Sequence, residues 1–330
     1  MIRRFCTLPL RLLARNCPLV GGQAVMEGVM MRNGDFYGLA VRHPDGSIVA
    51  ERRPWFSLTR HPWLKKPFVR GFPILLETLV NGIQSLNRSA EQALGEEEEK
   101  LEGWHLVLTM LLALCMAVAL FVVTPHVLSI GMQWLGLGGD VDGLSFHLWD
   151  GLFKCMIFVG YILCISFVPD IRRVFQYHGA EHKVIHAFEG GEEVTALEAS
   201  RMSRLHPRCG TTFLLFVISI SIILHAVLVP ALLSLWTPAH VVAKHVVTIA
   251  FKLLLMLPIA ALAYELIHYA ARLQEGIWGR ILRAPGLMLQ MLTTYEPAHD
   301  QLEVAVVALH EALGSDSPEK VRPAAYRSME

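Results

Sequence analysis

The sequence predicts a mainly α fold: a polytopic membrane helical bundle of about four transmembrane helices with a small cytoplasmic β-hairpin element. Three observations lead there. Hydrophobic residues fill 53% of the 330 positions against 18% charged, with mean hydropathy +0.43, which is too apolar for an ordinary soluble domain. Four apolar stretches each approach or exceed the length of helix that crosses a bilayer core, about 20 residues. Lysine and arginine segregate to alternate connecting segments, as they do when basic residues are held on the cytoplasmic side.

Residues 1–20 open with MIRRFCTLPLRLLARNC, four arginines and no acid. Phe5, Leu8 and Leu12 share one helical face, so a basic amphipathic surface helix is expected. Residues 21–103 form a cytoplasmic region. Its stretch YGLAVRHPDGSIVAERR reads as two strands around a Pro-Asp-Gly turn, with Gly46 supplying the left-handed conformation. Residues 67–94 read as a partly amphipathic helix, and the run Glu96 to Glu99 as a solvated linker. The membrane domain, 104–268, contains spans at 104–124, 151–169, 212–235 and 245–268, the last two carrying Pro230 and Pro258 as tolerable kinks. The loop 170–211 and the region 269–330 complete the chain.

Segment 1–103, the loop with Arg172, Arg173, Lys183, Arg201, Arg204 and Arg208, and the tail with Arg272, Arg280 and Arg283 are basic. Segment 125–150 has no lysine or arginine, and 236–244 only Lys244. Both termini and the middle loop are therefore expected in the cytoplasm. Formal net charge is zero, and the N-terminal basic residues interleave with Trp55, Trp63 and Phe68 as in an interfacial belt. Membrane lipid, not nucleic acid, is the expected partner. Six cysteines without a CxxC pair point to reduced thiols.

The chemistry concentrates after the second span. IRRVFQYHGAEHKVIHAFE reads as a helix stopped by Gly190 and Gly191, placing His178, Glu181 and His182 at i, i+3 and i+4 on one face. Two imidazoles can then share one ion with a carboxylate beside them, which is the inverted zincin pattern: the histidines bind a divalent metal, zinc by ligand type, and Glu181 is the general base. A third ligand must come from elsewhere. Glu265, an acid inside the last span near its cytoplasmic end, is the first candidate, against an ion pair with an arginine such as Arg272. His206 and Cys209 in SRLHPRCGTTF are the others, and His268 could orient Glu265. His186, His225, His240 and His245 are assigned to interfacial or satisfied core positions. In VGGQAVMEGVMMRNG, Gly21, Gly22, Gly28 and Gly34 surround Gln23, Glu27 and Arg32, implying tight turns or a closely approaching backbone, without the spacing of a nucleotide site.

GGQAVMEGVMMR, the strand pair, YHGAEHKVI, SRLHPRCGTTF and LTTYEP occur in this order over residues 20 to 308, and together the chain resembles the YqhQ-like family of bacterial membrane proteins. That family is of unknown function and is described as candidate metal-dependent enzymes. The resemblance marks Gly21, Gly22, Gln23, Glu27 and Arg32; then His178, Glu181 and His182; then His206, Arg208 and Cys209; and more loosely Glu265, Thr293, Thr294 and Glu296. It leaves the first and last twenty residues as variable, mobile ends, and implies an inner-membrane location.

The functional expectation is a metal-dependent membrane hydrolase acting at the cytoplasmic interface on a peptide bond or a lipid-linked group. Two alternatives stay open. In the first the protein is a scaffold or assembly factor binding a protein partner on its cytoplasmic face, its metal or hydrogen-bonded His/Glu/Cys cluster purely structural, a reading that a closed shell of His178, His182, His206 and Cys209 would favour. In the second it is a transporter or channel marked by Glu265 and His268, ranked third because the first two spans hold almost no ionisable groups.

Overall fold

The computed structural model describes residues 20–94, 103–191, 193–272 and 276–329. The expected basic helix of the N-terminal segment and the acidic run Glu96 to Glu99 lie outside the described residues.

The predicted strand pair is present as β3 (Phe36–Arg42) and β4 (Ile48–Pro54), but it is half of a larger meander. The glycine-dense segment before it forms β1 (Val20–Val25) and β2 (Gly28–Asn33), and β5 (Arg327–Met329) joins β4 in parallel. The expected hairpin is thus corrected to a five-stranded sheet in the order β1-β2-β3-β4-β5. The C-terminal segment, expected to be mobile, instead supplies a strand.

Alternation along the strands gives this sheet two apolar faces. Val25, Met30, Leu39 and Val41 pack with Tyr37 and Trp55 beneath helix α1 (Gly71–Leu94). Val29, Met31, Ala40 and Ala50 face a second core built with α5 (Pro169–Gly190) and α10 (His299–Leu313). Helix α1 is turned against its hydropathy. Glu77, Asn81, Ser85 and Ser89 are buried, while Phe72, Leu76, Leu79 and Leu86 are exposed. The buried polar stripe has work to do: Glu77 accepts from the Thr59 amide and the Ser57 hydroxyl, and Asn81 bonds both backbone groups of Phe56.

Four helices are long and apolar enough to cross a membrane: Val107–Trp134, Leu144–Ser166, Thr211–Leu235 and Val241–Tyr269. The first comprises α2 (Gly103–Val118), one π turn at Ala119–Val123 and α3 (Thr124–Trp134). It runs on past Pro125, where the expected span stopped, because the proline stands at the first turn of α3 and the π turn absorbs the change of register. The others are α4 (Leu144–Ser166), α7 (Thr211–Leu235) and α8 (Val241–Arg272); the short α6 (Ala196–Ser200) and α9 (Ile277–Thr293) complete the chain. Pro230 and Pro258 sit inside α7 and α8 without ending them.

Because α4 begins at Leu144 and α3 reaches Trp134, these helices contain His126, His147, Asp150 and Lys154, all buried. The expectation that the first two apolar helices hold almost no ionisable groups is corrected accordingly. The three segments that their basic residues assign to one side, 20–94, 169–211 and 276–329, pack into one body around the sheet.

Candidate functional site

Helix α5 leaves α4 across a two-residue break, with Pro169 in its first turn, and ends at Gly191 in the left-handed conformation. It packs beside α10 on one face of the sheet, against β1 and β2, so most of its length from Tyr177 to Phe188 is buried. On this helix His178 and His182 project side by side, ring centroids 4.4 Å apart. The loop before α7 brings Cys209 to them. Ligand atoms of His178, His182 and Cys209 all lie within 4.8 Å of one another, with His178 Nε2 3.1 Å from Cys209 Sγ.

Both imidazoles are held from behind. His178 Nδ1 is 2.9 Å from the Thr293 carbonyl and His182 Nδ1 is 2.6 Å from the Arg204 carbonyl. A carbonyl only accepts, so each Nδ1 carries the proton and each Nε2 presents its lone pair toward the sulfur. His182 Nε2 is buried and makes no hydrogen bond of its own. Burial pushes the His182 ring down toward its neutral form. Burial pushes the Cys209 thiol up, but the facing His182 ring and the Thr211 hydroxyl and amide outweigh it, and the thiol stands below its ordinary value. Imidazole Nε2 lone pairs and an easily ionised thiol are the donor set that zinc takes.

Glu181 lies beside these groups with Oε2 buried and unpartnered. Burial lifts its carboxyl to about 8, opposed by His178 and reinforced by Cys209. Strand β1 passes so close that a Cβ on Gly22 would stand 2.9 Å from the Glu181 carboxyl carbon. The same economy recurs at Gly179, where a Cβ would strike the Tyr295 carbonyl. The glycine-dense segment thus provides a closely approaching backbone, as its composition implied, and the partner is the acid of the motif.

The remaining sequence candidates divide. His206 is buried near the group, its ring 5.7 Å from that of His182, but its Nε2 is 3.5 Å from Glu189 and it is not one of the three clustered donors. Burial pushes it to about 4. Arg208 pairs with Glu189. Glu265 as metal ligand is corrected: its two oxygens accept from Arg70 Nε and Nη2 at 2.8 Å each, and Oε1 also accepts from the Phe68 amide. The partner is Arg70, because α1 docks on α8; the side chain of Arg272, the expected partner, lies outside the described residues. His268 stacks on Tyr264, centroids 6.2 Å apart. Gln23 faces Gly82 of α1, Glu27 binds Arg173 through both oxygens at 2.5 Å, and Arg32 covers the Trp55 ring at 4.0 Å.

Residues that the sequence reading left without a role are the backbone carbonyls of Arg204 and Thr293, which no side-chain pattern could reveal. Thr294 and Glu296 hold the same corner, accepting from Arg204 and Lys183 respectively. Beside the group a cavity of about 480 Å³ is lined by His186, His206, Arg208, Phe216, Tyr264 and His268, among others.

Four helices long and apolar enough to cross a membrane, joined to a sheet-centred body that holds a His, His, Cys group, define a class of mainly helical proteins. The chain belongs to the family described as "Protein of unknown function (DUF1385)", whose profile matches residues 66–315. It is similar to the "Uncharacterized protein YqhQ" of Bacillus subtilis (strain 168), 34% identical over 309 residues that make up 90% of this chain and 92% of that one. No solved structure matches it.

Proposed function

We propose that this protein is a multi-pass protein of the bacterial inner membrane, with both termini in the cytoplasm, that works as a metal-dependent hydrolase at the inner surface of the bilayer. The observation that carries the reading is the convergence of His178 Nε2, His182 Nε2 and Cys209 Sγ, each imidazole already in the tautomer a metal requires. Three protein donors leave a position open, the arrangement of catalytic rather than structural zinc. A divalent cation bound there supplies Lewis acidity to an oxygen of water or substrate. Glu181, with Oε2 unpartnered, accepts in its ionised form the proton that hydrolysis releases and returns it to the leaving group.

The cavity favours a lipid-linked substrate over a peptide. Arg208 and Arg283 offer charge and the histidines hydrogen bonds to an anionic headgroup, while Phe216, Tyr264 and Ile267 continue onto the apolar helices. The exposed apolar face of α1 suits contact with the same bilayer surface. The engagement of His206 with Glu189 speaks against the closed four-ligand form of the scaffold alternative.

Elemental analysis of purified protein tests the metal, and Glu181→Gln tests the chemistry. About one zinc per chain is expected in the wild type and in Glu181→Gln, and almost none in a His178→Ala, His182→Ala double variant. Hydrolysis of lipid-linked anionic substrates should fall about a hundredfold in Glu181→Gln. Full zinc in the double variant removes these histidines from the site.

A further inference from the structure

A second group of ionisable side chains lies inside the apolar helices, far from the His178 site. Along α7, His225 is 14 residues beyond Thr211, about 21 Å of helix. Lys252 of α8 donates to Asp150 Oδ1 of α4 at 2.6 Å, and Lys154, one turn along α4, is 3.6 Å from Asp150 Oδ2. Lys252 Nζ is 3.2 Å from His126 Nδ1, and His126 Nε2 is 3.0 Å from His245 Nδ1. At the other end Lys154 Nζ is 3.4 Å from His225 Nδ1, and His147 Nε2 donates to the Val141 carbonyl at 2.9 Å. Asp150, Lys154, Lys252, His126, His147 and His225 are all buried.

An ion pair that merely clasps two helices needs one amine and one carboxylate. Here two amines share one carboxylate, so protonating both gives the group an excess positive charge in a medium that penalises it, and at rest one amine is neutral. His147 Nδ1 and His225 Nε2 are also buried without a hydrogen-bond partner among the described residues. The contacts form an unbroken series from half-buried His245 to buried His225. Its open end adjoins Lys244, which pairs with Asp140 and Asp142 in the loop between α3 and α4. No ionisable residue of the described chain continues the series beyond His225 toward the metal-donor group.

We infer that this series is a proton-binding site, taking up and releasing one proton per chain through the face formed by the 135–143 and 236–240 loops. Uptake balances as a relay. Water gives a proton to the outer ring nitrogen of His245, whose Nδ1 proton passes to His126 Nε2. His126 passes its Nδ1 proton to the lone pair of Lys252, which at rest is a neutral amine donating one N–H to Asp150 while Lys154 carries the ammonium. The group gains one proton and one unit of charge, and the solution loses one proton. The site is a loading site with a single mouth, which distinguishes it from a through-channel, and it operates independently of any metal at His178.

The test uses the full chain in lipid nanodiscs and a bulk pH dye after a pH jump between about 8 and 6. Wild type should take up one proton more than Lys154→Met, which keeps the Asp150 to Lys252 pair, and His245→Phe should reach the wild-type count about a hundredfold more slowly. Equal counts in wild type and folded Lys154→Met overturn the proposal. If Lys154→Met does not fold, His245→Phe decides, since an unchanged rate removes the mouth. Uptake that disappears when chloride is replaced by gluconate also overturns it, assigning the positive group to a small anion.

Discussion

His178 and His182 show how much a spacing of four residues can say and where it stops. Helical geometry puts both on one face, and the sequence alone supports that step. The third donor was not legible, because the choice between Cys209 and Glu265 depends on Arg70, which lies 195 residues from the acid it neutralises. Glu265→Gln should therefore leave metal content unchanged while lowering stability by about 1–3 kcal/mol, since a charge-assisted bidentate pair is lost; loss of metal in that variant would restore the acid as a ligand. Gly22 is a sharper probe. A methyl group there meets both the Met30 carbonyl and the Glu181 carboxyl, so Gly22→Ala should cost about 1–3 kcal/mol and reduce hydrolysis more than it reduces bound zinc. Parallel melting and metal assays separate the two effects.

Among the elements, α5 was readable from its proline start, its glycine stop and the motif it carries, whereas β1 and β2 were hidden by glycines and charges that mask their alternation. Helix α1 was expected as partly amphipathic, but its inverted orientation follows from tertiary demand: the loop at 57–59 needs acceptors, and the polar stripe provides them. Burial pushes Glu77 up, yet bonds from Thr59, Ser57 and Leu58 more than offset it and hold the carboxyl below its ordinary 4.5. A depressed carboxylate contributes stability above the unfolded value and loses it as pH falls through the folded one. The melting temperature should therefore drop on acidification below about pH 4.5, and Glu77→Gln should melt lower at neutral pH with a flatter acid limb. An acid limb identical in both proteins would remove Glu77 from this role.

At the scale of the whole molecule, hydropathy located all four apolar helices and placed the third within a residue, but missed ends of the other three, because windows stop at prolines and polar residues that the bundle interior accepts. Asp150 and His147 fell outside the expected span for that reason and their network went unread. Charge segregation did better: the three basic segments are those that fold together around one sheet. Single cysteines replacing Gly138 and Glu198 check the orientation in intact cells. An impermeant maleimide should label the first and spare the second, and the reverse pattern would invert the protein. The central claim, that His178, His182 and Cys209 hold one cation, is met most directly by X-ray absorption at the zinc edge of the purified protein. Two nitrogen scatterers at about 2.0–2.1 Å and one sulfur at about 2.3 Å are expected, the sulfur vanishing in Cys209→Ser; a wild-type spectrum with no sulfur shell would contradict the account.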